Sequence, residues 1–449
     1  MNGARATLAA LTQQRLRALS EAWQRREPSA LLAERKQRAP DVFVEPSGPV
    51  SSLRDALRLA PSGALIRLAE GVYRERLRFE RPVSIEGVGA VRLELEPGSK
   101  PNLEGLAVSL RGLEISTSVP WNVSAGVLLF EDCRLEASST MVVARGSDAR
   151  VEFWGCGLFA AARAELLEVS GGASLLMADC EAQNSGGGLL QLSAAPSRAM
   201  LRRCQFGPAR RGFSLNSGAD LQASSCTWRQ LDEQALTLSS LSQVLLRDCD
   251  FERSALLLEE AAAIIDRCRI LGDGDFGVTL RARGASLEAE ACELRGVGLS
   301  VLERAQAQLR GCRLSDSELA VSADLGALLE LRDCVFECNQ RSLLAQRKAE
   351  LQVVACRFVG EGRAAVELSD GRSRFEACVW TDTETALRAL ARARVLVEGC
   401  SFENSDGVAL ELGSGAQLQL RHSRLGPRAR SLCLDPKAKF KEEANRFEE

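Results

Sequence analysis

From about residue 104 to residue 426 the chain consists of short runs in which apolar and polar residues alternate. One phrase returns every 19 to 24 residues: a cysteine, any residue, then a large apolar residue. Its copies are Cys133/Leu135, Cys156/Leu158, Cys204/Phe206, Cys226/Trp228, Cys249/Phe251, Cys268/Ile270, Cys292/Leu294, Cys312/Leu314, Cys334/Phe336, Cys356/Phe358, Cys378/Trp380 and Cys400/Phe402. Cys180 keeps the spacing with Ala182 in the second place, and Leu113/Ile115 and Ser423/Leu425 are degenerate copies at the two ends. Alternation with a period of two marks a strand with one buried face. In the copy around Cys400, Val395 and Val397 point inward, Gly399 permits a bend, and Cys400 and Phe402 resume the inward face. A polar turn follows, and Val408, Leu410 and Leu412 form the next strand. Strands of three to five residues cannot bury an apolar face alone, whereas stacked coils can. The pattern therefore predicts an all-β solenoid in which each repeat is one coil. At one strand spacing per coil, the cysteine-bearing repeats make a rod roughly 60 Å long.

The flanks read differently. Residues 1–40 carry apolar side chains at Leu8, Leu11, Leu16, Leu19 and Trp23, a spacing that predicts an amphipathic helix over 4–25, with a second short helix over 29–38 after Pro28. Eight basic residues against three acidic ones give this extension a local charge of +5. It is expected to dock a protein partner or a second copy of the chain through Leu8, Leu11, Leu16, Leu19 and Trp23, or to fold back on the solenoid as a brace. Residues 41–103 are expected to form the N-terminal cap and first coils, and 104–433 the repetitive body. Residues 434–449, rich in Lys and Glu, are expected to be a polar tail or cap, with Phe440 and Phe447 available to dock on the last coil.

Within 41–87 a strand (Asp41–Glu45) precedes a short helix carrying Leu53, Ala56, Leu57 and Ala60, capped by Ser51 or Ser52. The phrase Gly71-x-Tyr73-x-Glu75 follows. This arrangement resembles the start of right-handed parallel β-helix domains of the pectin-lyase-like superfamily, and with the repeats the resemblance covers roughly 41–433. It implies a right-handed parallel β-helix solenoid, here with a helical N-terminal extension. It also implies a polysaccharide as one class of ligand, although many activities share this fold. The strand-borne Asp phrase of the pectin methylesterases and the basic calcium-site pattern of the pectate lyases have no counterpart in the chain, so no catalytic residue is carried over.

Composition narrows the remaining choices. The formal charge is −3, which gives no global electrostatic case for nucleic acid, and the aromatic residues are not interleaved with basic ones as a single-stranded track requires. Fifteen cysteines, mostly at one repeat position, point to a buried row of free thiols and not to disulfides or a metal site. No cofactor is implied. The N-terminus lacks the apolar segment of a signal peptide and no apolar run reaches transmembrane length, so a cytoplasmic protein is expected. Candidate chemistry is confined to acidic turns that follow the repeat cysteine at similar distances: Asp273 and Asp275, Asp316 and Glu318, Asp382 and Glu384. Carboxylate pairs on one ridge are the raw material of glycoside cleavage or cation binding. Trp23 and Trp121 are the expected exposed aromatics. Without a convergent catalytic set, the sequence favours a non-enzymatic scaffold presenting a rigid flank, with a polysaccharide-binding or polysaccharide-degrading enzyme as the alternative.

Overall fold

The computed structural model describes residues 40–447 except 273, 275, 276, 361, 363, 404–406 and 427–431. The helices expected over residues 4–38, with Leu8, Leu11, Leu16, Leu19 and Trp23, lie outside the described residues.

The described chain is a right-handed parallel β-helix. Its strands pair with those one coil earlier and one coil later, always in parallel, and sort into three stacks. Sheet 1 begins with Val42–Val44, Ala64–Leu68 and Val83–Gly87, passes through Ser286–Glu290 and Gln306–Arg310, and ends with Lys439–Glu443. Sheet 2 runs from Gly71–Glu75 through Arg269–Leu271 and Glu293–Arg295 to Arg446–Phe447. Sheet 3 starts in the long strands Asn102–Arg111 and Trp121–Glu131, whose later residues also serve sheet 1, and continues through Gly277–Arg281 and Gly298–Val301 to Leu432–Leu434.

The cysteine phrase occupies the corner between sheets 1 and 2. There the residue before each cysteine adopts a left-handed conformation, from Asp132 (φ 51°) through Ala291 (φ 51°) to Gly399 (φ 63°). One such residue turns the chain sharply while keeping both neighbours in strands. The cysteine side chain then points inward, and its thiol donates to the carbonyl two residues back, as from Cys180 Sγ to Ala178 O (3.1 Å) and from Cys249 Sγ to Arg247 O (3.2 Å). Thirteen cysteines form this buried row, and all fifteen are unpaired. Hydrogen bonding along the row, reinforced by burial, pushes Cys133, Cys180, Cys226, Cys292 and Cys334 well above the ordinary thiol range, and Cys268 to about 12.

A second inward row marks the corner between sheets 3 and 1, where Ala149, Ala173, Ala219, Ala261, Ala285, Ala305, Ala327, Ala349, Ala393 and Ala416 are all buried. The large apolar residues two places after each cysteine stack on one another across sheet 2. Phe336, Phe358, Trp380 and Phe402 form a continuous pile with ring centroids 4.8, 5.1 and 4.6 Å apart and planes within 11° of parallel. The core is therefore a set of side-chain columns running along the rod.

The ends close by specific contacts. Helix Leu53–Leu59 is capped by Ser52, whose hydroxyl accepts from the Asp55 amide at 3.1 Å, and it covers the first coil with Leu53 and Ala56. The Gly-x-Tyr-x-Glu phrase holds it there. Glu75 Oε1 accepts from the Leu53 amide at 2.7 Å, and the Tyr73 hydroxyl donates to Ala69 O at 2.8 Å and Val44 O at 3.2 Å. At the other end, residues 432–447 add one further coil of short strands where the sequence anticipates a polar tail or cap. Phe440 and Phe447 pack against the core. Ser423 and Asn445 take the cysteine position, and Asn445 bonds to the Ser423 amide (3.0 Å) and Leu420 O (3.1 Å). The exposed Lys439, Lys441, Glu442 and Glu443 place charge on the terminal edge, which discourages pairing with another chain.

Two outcomes follow from this packing. Native protein should expose only Cys338 and Cys433 to a thiol reagent, and unfolded protein all fifteen; titration with a chromogenic disulfide measures both. Trp380→Ala should cost roughly 3–5 kcal/mol through the cavity it opens in the aromatic pile. Trp380→Phe should cost much less, because the buried indole N–H of Trp380 has no hydrogen-bond partner among the described residues; denaturant unfolding of the two variants distinguishes them.

Candidate functional site

Corners between sheets 2 and 3 differ in length, the longer ones including residues 161–166. Only residues 296 and 297 separate strand Glu293–Arg295 from strand Gly298–Val301. One coil earlier, five residues separate Arg269–Leu271 from Gly277–Arg281. This corner is tied to the next coil through the Gly272 amide to Arg295 O (3.0 Å) and the Gly274 amide to Gly296 O (2.8 Å). Gly274 has φ of 99°, a conformation that a side chain would strain.

Between Gly272 and Gly274 and the corner two coils on lies an open cleft of about 670 Å³. Its lining comes from the outward positions of sheet 2 (Arg269, Leu271, Glu293 and Arg295) and from the corner residues Asp316 and Glu318, with Gly272, Gly274 and Gly296 leaving room for an occupant. The cleft is polar and of mixed sign. Arg269 holds Asp250 through two bonds of 2.8 and 3.1 Å, and Arg295 Nε holds Asp316 Oδ2 at 2.8 Å. Bonding to Asp250 raises the Arg269 guanidinium further above its ordinary range. Both arginines are thus fixed in orientation while their outer faces stay in solvent. Among the described residues the Glu318 carboxylate makes no hydrogen bond or ion pair. The same holds for Glu293 among the described residues, so the cleft offers oriented cationic donors beside two uncommitted carboxylates.

The structure places the sequence candidates unequally. Asp316 and Glu318 line the cleft, with Asp316 held by Arg295. Asp382 and Glu384 are exposed on the same corner three coils further along, outside the cleft. Asp273 and Asp275 lie outside the described residues. Arg269, Glu293 and Arg295 escaped the acidic-turn search because they sit at outward strand positions that look like ordinary solvated sites; their only signal is that the column Asp250, Arg269, Glu293 and Arg313 alternates in charge along sheet 2. Trp121, expected to be exposed, is instead fully buried. It starts a long strand of sheet 3 and packs on Phe79 at 5.8 Å and edge-on to Phe130 at 5.4 Å. No group of His, Cys, Asp and Glu that could hold a metal ion occurs among the described residues. No helix among them is long and apolar enough to cross a membrane.

No protein-family model and no curated protein matches the sequence. Solved structures do. The periplasmic alginate epimerase AlgG matches over 90% of this chain and 83% of its own, at 11% identity and a TM-score of 0.30. The A-module of the Azotobacter vinelandii mannuronan C-5 epimerase AlgE6 matches over 88% and 92%, at 12% identity and a TM-score of 0.28. The PL6 family alginate lyase AlyGC matches over 90% and 97%, at 9% identity and a TM-score of 0.21. What they share with this chain is the fold. The likeness transfers no reaction and no residue. It does correct one expectation: the sequence favoured a non-enzymatic scaffold, whereas the matched structures are enzymes and the flank carries a built cleft, so that reading is withdrawn.

The Arg295–Asp316 pair is about half-exposed, with side chains 64% and 46% accessible, so it contributes at most about 1 kcal/mol to stability. Asp316→Asn and Arg295→Ala should therefore unfold in urea within about 1 kcal/mol of the parent. A larger loss in both would make the pair a structural clamp.

Proposed function

We propose that this protein binds and acts on a polysaccharide laid along the rod axis in the cleft between Gly272 and Gly274 and the Asp316/Glu318 corner. The single observation that carries the reading is the juxtaposition, in one open cleft, of two oriented guanidinium groups with an uncommitted carboxylate at Glu318. Successive coils repeat at about 4.8 Å, comparable to the length of one sugar unit, so a chain of sugars can meet an equivalent set of outward groups at each step. Arg269 and Arg295 supply forked donors suited to sugar hydroxyls and carboxylates. Glu318 is the group placed to move a proton, and Asp316 keeps Arg295 aligned. Proton abstraction or donation by a carboxylate beside cationic donors is lyase or epimerase chemistry. Hydrolysis needs two working carboxyl groups, and Glu293 beside Glu318 supplies a second, so reducing ends are followed as well.

The test is a panel of polyuronates and neutral glucans incubated with the full chain. Unsaturated ends are followed by ultraviolet absorbance, reducing ends by colorimetry and epimerised residues by proton NMR. At least one polyuronate should be converted, Glu318→Gln should lower turnover by about 100-fold or more while binding persists, and Arg295→Ala should weaken binding. Turnover undiminished in Glu318→Gln, or no binding across the panel, would reject the assignment.

A further inference from the structure

The outer face of sheet 1 is unlike the other surfaces of the rod. In register, its central outward position reads Leu65, Ser84, Ser109, Leu129, Glu152, Leu176, Met200, Gln222, Leu245 and Ile264. Beyond Glu288 it reads Gln308, Glu330, Gln352, Arg374, Leu396, Gln419 and Lys441, of which Gln308, Gln352, Arg374 and Lys441 are exposed. Six of these first ten positions are apolar, against Leu396 alone from Glu288 onward, so a mainly apolar stripe covers the first half of the face. Leu65, Leu129, Leu176 and Leu245 are only 6–7% exposed although they point away from the core. They take no part in the core cluster, which holds their inward neighbours Ile66, Leu128, Leu175 and Leu246. Glu152 is 3% exposed on the same face, and Gln222 Oε1 is shut off from solvent with no hydrogen-bond partner among the described residues. A shallow groove bounded by Leu65, Ser84, Glu86, Arg111 and Leu129 opens at the start of the stripe.

We propose that residues 1–39 of the same chain lie along this stripe as a helical brace, with Leu8, Leu11, Leu16, Leu19 and Trp23 facing it. The described chain begins beside Leu65: the Asp41 amide donates to Leu65 O at 2.9 Å, and Asp41 Oδ2 accepts from the Leu65 amide at 2.8 Å. The preceding segment therefore emerges at the first position of the stripe. Length agrees as well. The nine strand intervals from Leu65 to Ile264 span about 43 Å, while a helix over 4–25 followed by one over 29–38 reaches about 48 Å. The apolar stripe ends where such a segment runs out. The cleft of sheet 2 lies at the corner away from this face, so the brace leaves it open.

The full chain decides the matter. Hydrogen–deuterium exchange read by mass spectrometry should show the amides of 4–25 protected by about ten-fold or more over a random coil. Light scattering should show a monomer across a wide concentration range. Leu11→Asp with Leu19→Asp alters the segment and leaves the rod untouched, and should abolish the protection; Leu176→Asp should do the same from the other side, and Leu396→Asp on the polar half of the face should not. Random-coil exchange in the parent chain would overturn the proposal. So would protection that appears only with dimer formation, which would assign the stripe to a second copy.

Discussion

Everything in this molecule depends on hydrogen bonding and burial being satisfied between coils. A strand of three to five residues has too few internal contacts to exist alone, and each coil can pair its amides and carbonyls only with the coil before and the coil after. In-register parallel stacking follows, and it forces equivalent positions to hold compatible side chains. Thiols mostly sit on thiols, with Ser423 and Asn445 continuing that column, and aromatic rings stack on rings or aliphatic side chains. The repeated left-handed corner residue is part of the same constraint, since one mismatched bend would throw the next strand out of register.

This constraint explains what could be read in the sequence and what could not. The cysteine corner was legible because the two inward residues around one bend recur together at a nearly fixed spacing. The alanine corner, just as regular in space, was not: alanine is common everywhere in the chain, and the length of the turn before it varies. The cap helix and its serine cap were legible. The physical reason for the Gly71-x-Tyr73-x-Glu75 phrase emerged only when Tyr73 and Glu75 were seen bonding to the first strand and to the helix start. Trp121 was misread because it opens a long strand that passes from sheet 3 into sheet 1, far from the Cys133 corner that marks the inward phase.

The cleft was half legible for a similar reason. Asp316 and Glu318 fall at a fixed offset from Cys312 and could be recognised as a corner pair. Their partners Arg269, Glu293 and Arg295 come from the two preceding coils, and it is the in-register stacking of those coils that brings them beside the corner. A site on a solenoid is a departure from repetition, so a search for repeating acidic turns finds its position but not its membership. The solenoid itself is rigid and indifferent to which outward residues it carries. That freedom allows chemistry to be placed on one coil without cost to its neighbours.

The most direct test of this account is a crystal structure of the full chain soaked with a short oligouronate. The account predicts sugar rings lying along the axis over Glu293 and Arg295, with a hydroxyl or carboxylate of the ligand on the Arg295 guanidinium and Glu318 against the ring. Sugar bound only on another face of the rod, or a cleft that stays empty when the same oligosaccharide binds in solution, would contradict it.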